Sequence, residues 1–227
     1  MSYAFAPAPI VTLPVISCDL FPVRRVFCVG RNYPDHAREM GADPEREPPF
    51  FFMKPVDAIL PNNSVLPYPP GTQDLQPEVE LVVAIGLGGK QIPVENANDH
   101  IFGYAVGLDM TLRDVQKNAR EKGLPWDMAK GFDHSAPCSA ITPVSHTGVI
   151  DRGKIELKVN GRVRQSADVS EMIWKIPETM SYLSNLVEIR PGDLIFTGTP
   201  AGPAPVVKGD VLDASIAGLK PLSITIG

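Results

Sequence analysis

The chain has 227 residues, of which 21 are lysine or arginine and 26 are aspartate or glutamate, so its formal net charge is −5. This balance argues against a non-specific nucleic-acid binder, which would carry a basic excess or a basic stripe. The 19 glycines and 24 prolines exceed average usage but stay below the level typical of disorder. The composition therefore predicts a folded, turn-rich protein.

Targeting and membrane segments are not expected from the sequence. Residues 1–16 contain three prolines and no basic residue, unlike a signal peptide. The longest apolar run, residues 81–87, is far shorter than the ~20 residues of a membrane span. The three cysteines are an odd number without metal-ligand spacing, which fits a reducing compartment. We expect a cytoplasmic protein with neither a nucleic-acid nor a membrane partner.

Short strands separated by turns dominate the predicted secondary structure, after an extended lead-in over residues 1–22. Predicted strands follow in this order: 23–29, 50–55, 78–85, 101–108, 155–159 and 162–164. Asn160-Gly161 between the last two runs predicts a two-residue hairpin. Two more strands are predicted to follow the turns at 191–193 and 208–210. No linker divides residues 23–227, which we expect to form a single domain.

Three helices are predicted among these strands. Pro34 and Gly41 suit the start and stop of a very short helix over residues 33–40, with a charged loop over 42–49 after it. Thr111 and Asp114 resemble a capping box that opens a second helix ending at about residue 122, and a third is predicted over 177–187. The expected fold class is a β-rich α+β domain.

Two glutamates stand at the start of a predicted buried strand. In Glu78-Val79-Glu80 the alternation of side chains places both carboxylates on one face. Unpaired, they would repel each other and be costly to bury, and a divalent cation with oxygen ligands would remove both penalties. Asp109, at the end of the next apolar strand, is a candidate third ligand. The alternative is a solvated strand end at which the glutamates pair with lysine or arginine.

His36 and Glu39 are three residues apart on the first predicted helix, which makes them neighbours on its surface. A carboxylate that contacts an imidazole fixes its tautomer, as a water-activating general base requires. The alternative is an exposed helix on which both are solvated. Lys130, among apolar neighbours, could clamp a substrate carboxylate, stabilise an enolate or extend from the edge of the core.

Six motifs follow one another between about Arg25 and Ile226. In chain order they are Val29-Gly30-Arg31-Asn32-Tyr33 with His36 and Glu39, Phe52-Met53-Lys54-Pro55, Glu78-Val79-Glu80-Leu81, Gly107-Leu108-Asp109-Met110-Thr111, Ala129-Lys130-Gly131-Phe132-Asp133 and Thr197-Gly198-Thr199-Pro200-Ala201-Gly202. Together they resemble the fumarylacetoacetate hydrolase family. Within the family, residues 113–116 and 123–126 are similar to the acylpyruvate hydrolase branch, which includes fumarylpyruvate and maleylpyruvate hydrolases.

The resemblance implies a homodimeric mixed β-sandwich roll with a few short helices. It also implies cleavage of a carbon–carbon bond in an acylpyruvate, a diketo acid, in the catabolism of aromatic compounds, with Mg²⁺ or Mn²⁺ as cofactor. The residues that match functional positions of the family are the metal ligands Glu78, Glu80 and Asp109, the water-activating pair His36 and Glu39, the active-site lysine Lys130, and the substrate-facing Arg31, Lys54, Gln116 and Thr199.

One departure from the family lies at Gln76, where many relatives carry a histidine. Residue 76 is not one of the three metal ligands, so this departure concerns the residues around the ligands and not the ligands themselves. The same site could instead support oxaloacetate decarboxylation or isomerisation of 2-hydroxyhepta-2,4-diene-1,7-dioate, and a non-catalytic metal-binding protein is a further alternative. Because the helix over 33–40 is too short to be stable alone, we expect a lid that orders over bound substrate.

Overall fold

Strands make up most of the regular structure in the computed structural model, which describes residues 3–17, 19–41 and 47–227. The strands are β1 Thr12–Pro14, β2 Leu20–Pro22, β3 Arg25–Gly30, β4 Phe50–Lys54, β5 Ile59–Pro61, β6 Val65–Leu66, β7 Leu75–Gln76, β8 Val79–Ile85, β9 Ile101–Leu108, β10 Thr111–Leu112, β11 Ala136–Cys138, β12 Thr142–Pro143, β13 Lys154–Val159, β14 Arg162–Asp168, β15 Asp193–Phe196, β16 Val211–Ile216 and β17 Leu222–Ile226.

The helices are few and short. They are α1 Pro34–Glu39, α2 Arg113–Glu121, α3 Asp127–Lys130, α4 Val144–Thr147 and α5 Ile176–Leu186, with 3₁₀ turns at Val56–Ala58, Val94–His100 and Val169–Glu171. Within the described ranges no helix is long and apolar enough to cross a membrane. The predicted loop over 42–49 lies partly outside the described residues, and its remainder, 47–49, has no regular structure.

A mixed sheet forms the centre of the fold. Its strand order is β4-β3-β15-β8-β9-β11-β5, and β12 pairs with β9. Strand β3 runs parallel to β15 and β11 runs parallel to β5, while the other pairs are antiparallel. Every residue of β8 is buried, which confirms that both faces of this strand are covered.

A second sheet, β14-β13-β16-β17-β6, packs against one face of the central sheet. Leu157 and Leu212 of the second sheet share an apolar core with Leu81 and Val83 of β8, and α5 adds Met180 to it. These layers form a β-sandwich, so the predicted β-rich α+β class is confirmed.

The opposite face of the central sheet is covered by the start of the chain. Strands β1 and β2 form a small antiparallel hairpin within residues 1–22, which the sequence predicted as an extended lead-in. Leu13 and Phe21 of this hairpin pack in a second apolar core with Val82 and Ala84 of β8. Side chains of alternate residues in β8 therefore enter two different cores, as the period-two pattern requires.

Most of the predicted local elements are confirmed, including α1, α5 and the β13–β14 hairpin around Asn160-Gly161.

The capping box predicted at the start of α2 is wrong. No side chain caps Leu112, the residue before the helix. Instead the Thr111 hydroxyl accepts a hydrogen bond from Lys130 at 2.6 Å, and the Asp114 carboxylate accepts one from Thr72 at 2.6 Å. Both side chains make tertiary contacts that a local pattern does not encode.

Candidate active site

Three buried carboxylates meet at one end of the central sheet. Glu78 and Glu80 lie at the start of β8, and Asp109 directly follows β9, the antiparallel neighbour of β8. One carboxylate oxygen from each residue lies within 4.8 Å of the others. All three side chains are almost fully shielded from solvent. The alternative of a solvated strand end therefore does not describe these glutamates.

Cations surround Glu78. The Lys130 ammonium lies 2.8 Å from Glu78 Oε2 and 2.7 Å from Asp109 Oδ2, and the Arg113 guanidinium contacts Glu78 Oε1. Burial by itself would raise the pKa of Glu78, but Lys130 and Arg113 outweigh it and hold this pKa well below its usual range. Burial likewise opposes the charge on Lys130, yet Asp109 and Glu78 raise the pKa of this lysine above its usual value. Glu78 and Lys130 are thus both charged.

Glu80 is placed differently, because no lysine or arginine among the described residues pairs with it. Burial, followed by the nearby carboxylates of Asp109 and Glu78, raises the pKa of Glu80 well above its usual range. Its Oε2 atom accepts one hydrogen bond, from the backbone N–H of Gly198 at 2.8 Å. Glu80 therefore faces two other buried carboxylates and has no cation of its own. A divalent ion bound by one oxygen from each of the three residues would supply the missing positive charge. The residues present therefore fit a Mg²⁺ or Mn²⁺ ion.

Helix α1 carries the predicted pair His36 and Glu39, of which His36 lines the same cavity. His36 is buried, and its Nδ1 atom lies 3.3 Å from Glu39 Oε2. The backbone N–H of Gly202 donates to the Glu39 carboxylate at 3.2 Å. This contact links α1 to the turn at 197–202, which contains the last of the six family motifs. The alternative of a fully solvated helix is excluded for His36, although Glu39 is half exposed.

Lys54 occupies a different place from the one its predicted role requires. Its side chain is fully buried behind the carboxylates, with the ammonium 2.8 Å from Asp109 Oδ1. The same ammonium donates to the carbonyl oxygens of Met110 and Lys130. It is not among the side chains that line the cavity in this structure, where it contacts Asp109 and the Lys130 backbone instead, so its substrate-facing role stays a prediction.

The other three predicted substrate-facing residues, Arg31, Gln116 and Thr199, do line the cavity, together with His36 and Lys130. The Thr199 hydroxyl accepts a hydrogen bond from Gln165 at 2.8 Å. The side-chain amide oxygen Oε1 of Gln116 accepts one from the Arg113 guanidinium at 2.6 Å. Both side chains are thus oriented by neighbours before any ligand arrives.

Arg113 is the main site residue that was absent from the predicted set. Its guanidinium reaches Glu78, Gln116 and the Gln76 side chain, whose Oε1 accepts from Nε at 2.9 Å. The three-residue spacing from Gln116 on α2 is the signal that could have found it. Gln76, the departure from the family pattern, thereby supports the arginine next to the carboxylates. Further cavity-lining residues to which the sequence assigned no role in the site include Met40, Phe52 and Trp126.

The site belongs to a recognised class of protein: residues 25–226 match the model of the fumarylacetoacetate hydrolase C-terminal family. The chain belongs to this family. It is 51% identical, with a TM-score of 0.97 and 99% of both chains covered, to a crystal structure of fumarylpyruvate hydrolase from Pseudomonas aeruginosa in complex with Mn²⁺ and pyruvate.

Two named relatives are similar over most of their length. The fumarylpyruvate hydrolase of a Ralstonia species is 40% identical over 185 residues, which are 82% of this chain and 96% of the relative. The mitochondrial oxaloacetate tautomerase FAHD1 of Homo sapiens is 42% identical over 203 residues, which are 89% of this chain and 91% of the relative.

Proposed function

We propose that this protein is a metal-dependent hydrolase that cleaves a carbon–carbon bond of an acylpyruvate such as fumarylpyruvate, giving pyruvate and a carboxylic acid. The observation that carries this proposal is one cavity lined both by the three clustered carboxylates and by His36, which Glu39 holds. The similarity to a fumarylpyruvate hydrolase in complex with Mn²⁺ and pyruvate supports it.

Glu78, Glu80 and Asp109 would hold the metal ion, either Mn²⁺ or Mg²⁺. The ion would supply Lewis-acid polarisation of the 2-oxo group and carboxylate at the pyruvate end of the substrate. Lys130, which contacts two of the three carboxylates, would place a further positive charge beside the oxygen on which negative charge develops. Lys54 would act indirectly, because its ammonium holds the Asp109 carboxylate in position.

His36 and Glu39 would activate water. The Glu39 carboxylate faces Nδ1, which keeps the proton of the neutral imidazole on Nδ1 and leaves Nε2 free to accept one from water. The hydroxide attacks the carbonyl carbon of the acyl group, and the bond between this carbon and the pyruvate carbon breaks. The electron pair forms the pyruvate enolate, which takes up a proton from His36 Nε2. One water is consumed, and a carboxylic acid and pyruvate are released.

The space that a water molecule can occupy between the lining residues of the cavity is about 20 Å³. That space is close to the volume that admits a single water, so an acylpyruvate cannot enter without movement. Helix α1 has six residues and carries His36 over the cavity. We therefore propose that α1 is a lid that opens for substrate and closes over it.

A spectrophotometric panel tests the proposal. The metal-loaded protein is assayed with fumarylpyruvate, maleylpyruvate, acetylpyruvate and oxaloacetate, following the loss of diketo-acid absorbance. We expect hydrolysis of at least one acylpyruvate, and loss of both Mn²⁺ binding and turnover in Glu78→Gln. Unchanged activity of Glu78→Gln, or full activity in a chelator, would contradict the metal site.

Oxaloacetate tautomerisation is a second candidate, favoured by the 42% identity to the human oxaloacetate tautomerase. Moving a proton between carbon and oxygen requires no attacking water, and neither does the predicted alternative of oxaloacetate decarboxylation. Substituting His36 by alanine separates these reactions from hydrolysis. If the variant loses acylpyruvate cleavage but keeps oxaloacetate turnover, water activation by His36 serves hydrolysis alone.

The assembly and setting of the enzyme complete the proposal. We propose a homodimer, on the basis of the family resemblance, with a role in the catabolism of aromatic compounds. A cytoplasmic location is supported by the buried, unpaired thiols of Cys28 and Cys138. Sedimentation velocity of the purified protein distinguishes a dimer from a monomer.

A further inference from the structure

Gln165 is a polar residue that is buried on a strand whose valine is exposed. Of the seven residues of β14, Gln165 alone is buried, while Val163 faces solvent. The register of β14 against β13 shifts by one residue directly beside Gln165, which marks a β-bulge. A bulge changes the direction of a side chain, and here the amide enters the interior of the protein. A polar side chain placed there at the expense of a valine needs polar partners.

The acceptor end of the Gln165 amide holds the strand that carries two of the three carboxylates. Its Oε1 atom accepts a hydrogen bond from the backbone N–H of Val79 at 2.9 Å. Val79 lies between Glu78 and Glu80 in the sequence. Strand β15, which pairs with β8 further along, has already ended at Phe196. A buried N–H without a partner is costly, so the side chain completes the hydrogen bonding of β8 where the neighbouring strand stops.

The donor end of the same amide holds the turn at 197–202. Nε2 donates to the Thr199 hydroxyl oxygen and to the Pro200 carbonyl oxygen, both at 2.8 Å. A backbone N–H can only donate and a carbonyl oxygen can only accept, so Val79 and Pro200 together fix which way the amide faces. The Thr199 oxygen must therefore accept from Gln165. No described residue accepts the hydroxyl proton of Thr199 in return, and this side chain lines the cavity.

We propose that Gln165 is a positioning residue, which makes the Thr199 hydroxyl a hydrogen-bond donor towards bound substrate and fixes its turn against the strand of the carboxylates. The inference rests on the proposed function, in which the ligand presents anionic oxygen atoms at its pyruvate end. Such oxygens accept hydrogen bonds, and a hydroxyl whose oxygen already accepts from Gln165 presents its proton to them. Without Nε2 the hydroxyl is free to rotate and to donate elsewhere.

A double-mutant cycle on the protein saturated with Mn²⁺ tests this role. Gln165→Met keeps the length of the side chain and loses all three hydrogen bonds, whereas Thr199→Val keeps the shape and loses the hydroxyl. The readouts are the Kd of oxalate, a probe for the pyruvate end, and kcat and KM for fumarylpyruvate. We expect each single variant to weaken oxalate binding and to raise KM by about 3- to 10-fold, the effect of one hydrogen bond, with a smaller change in kcat.

The combined variant separates positioning from a merely structural role. If Gln165 acts through the hydroxyl, adding Gln165→Met to Thr199→Val weakens oxalate binding by less than about twofold. Val163→Met, on the exposed face of the same strand, is the control and should leave both readouts unchanged. If Gln165→Met does not fold, Gln165→Glu replaces it in the cycle, because its carboxylate still accepts from Val79 but has no proton for Thr199.

Two results would overturn the inference. One is an unchanged oxalate Kd in the Gln165 variant, and the other is a full second loss in the combined variant, which would show that Gln165 acts independently of Thr199. Failure of the proposed function has a different signature. In that case the wild type hydrolyses no acylpyruvate, while the oxalate measurements still report on Gln165.

Discussion

Replacing Gly198 with alanine perturbs the candidate metal site without removing a charge. Gly198 has φ +98°, and its N–H donates the hydrogen bond that Glu80 accepts at 2.8 Å. A Cβ atom there would lie 2.6 Å from the Cβ atom of Asn32. Asn32 cannot move aside freely, because its amide bonds to the backbone of Trp174 and Thr197. The alanine is therefore opposed by both backbone strain and a rigid neighbour.

The cost has two parts. An alanine at this φ costs about 1–3 kcal/mol in backbone strain. The overlap with Asn32 adds about 1–3 kcal/mol if the turn stays in place. If the turn moves instead, the N–H leaves Glu80, and loss of a contact that orients a metal ligand weakens metal binding by about 10- to 100-fold. The variant thus loses stability, metal affinity or both.

Gly209 provides the matched control, since it has φ +90° but nothing within 4 Å of an added Cβ. Gly209→Ala carries the backbone strain alone, about 1–3 kcal/mol as at Gly198. Thermal unfolding of both metal-free variants, with Mn²⁺ titrated calorimetrically, separates the effects. Each kcal/mol lowers Tm by about 2–4 °C in a domain of this size. If Gly198→Ala matches Gly209→Ala in both Tm and Mn²⁺ affinity, the proposed link between this turn and Glu80 is wrong.

Three further predictions concern the lid, a buried ion pair and the lysine behind the site. Oxalate with Mn²⁺ should slow amide hydrogen exchange in α1, measured by mass spectrometry, and equal exchange with and without oxalate would contradict a lid. Asp193→Asn leaves Arg24 and Arg25 without their buried carboxylate. Because both arginines are partly exposed, the free energy of unfolding in urea should fall by about 2 kcal/mol. Asp151→Asn, at an exposed position, is the control and should leave this free energy unchanged. Lys54→Met should weaken Mn²⁺ binding, because Asp109 loses a contact at 2.8 Å, and unchanged affinity would show that Lys54 does not position this ligand.

The elements that the sequence predicted well depend on neighbours within a few residues. Alternation along β8 placed Glu78 and Glu80 on one face, and the spacing of His36 and Glu39 placed them side by side on α1. Asn160-Gly161 specified the β13–β14 hairpin for the same reason. In each case the period of the backbone fixes which side chains are adjacent, whatever the rest of the chain does.

The tertiary structure decided which distant side chains meet. Thr111 and Asp114 had the spacing of a capping box, yet Lys130 and Thr72 compete for their oxygens. Lys54 stood in a motif typical of the site, but only the folded chain places its ammonium behind Asp109 rather than in the cavity.

The sequence by itself determined the strand-rich class and, through family motifs, several of the residues that line one cavity. It did not determine that Arg113 joins Glu78, or that Arg31 stands apart from the other cations against Phe50 and Trp126. These pairings join residues tens of positions apart, and they exist only because packing of the two sheets brings the ends of several strands and helices together. Local periodicity specifies the face on which a side chain lies, whereas its partner across the fold is set by the way the buried layers pack.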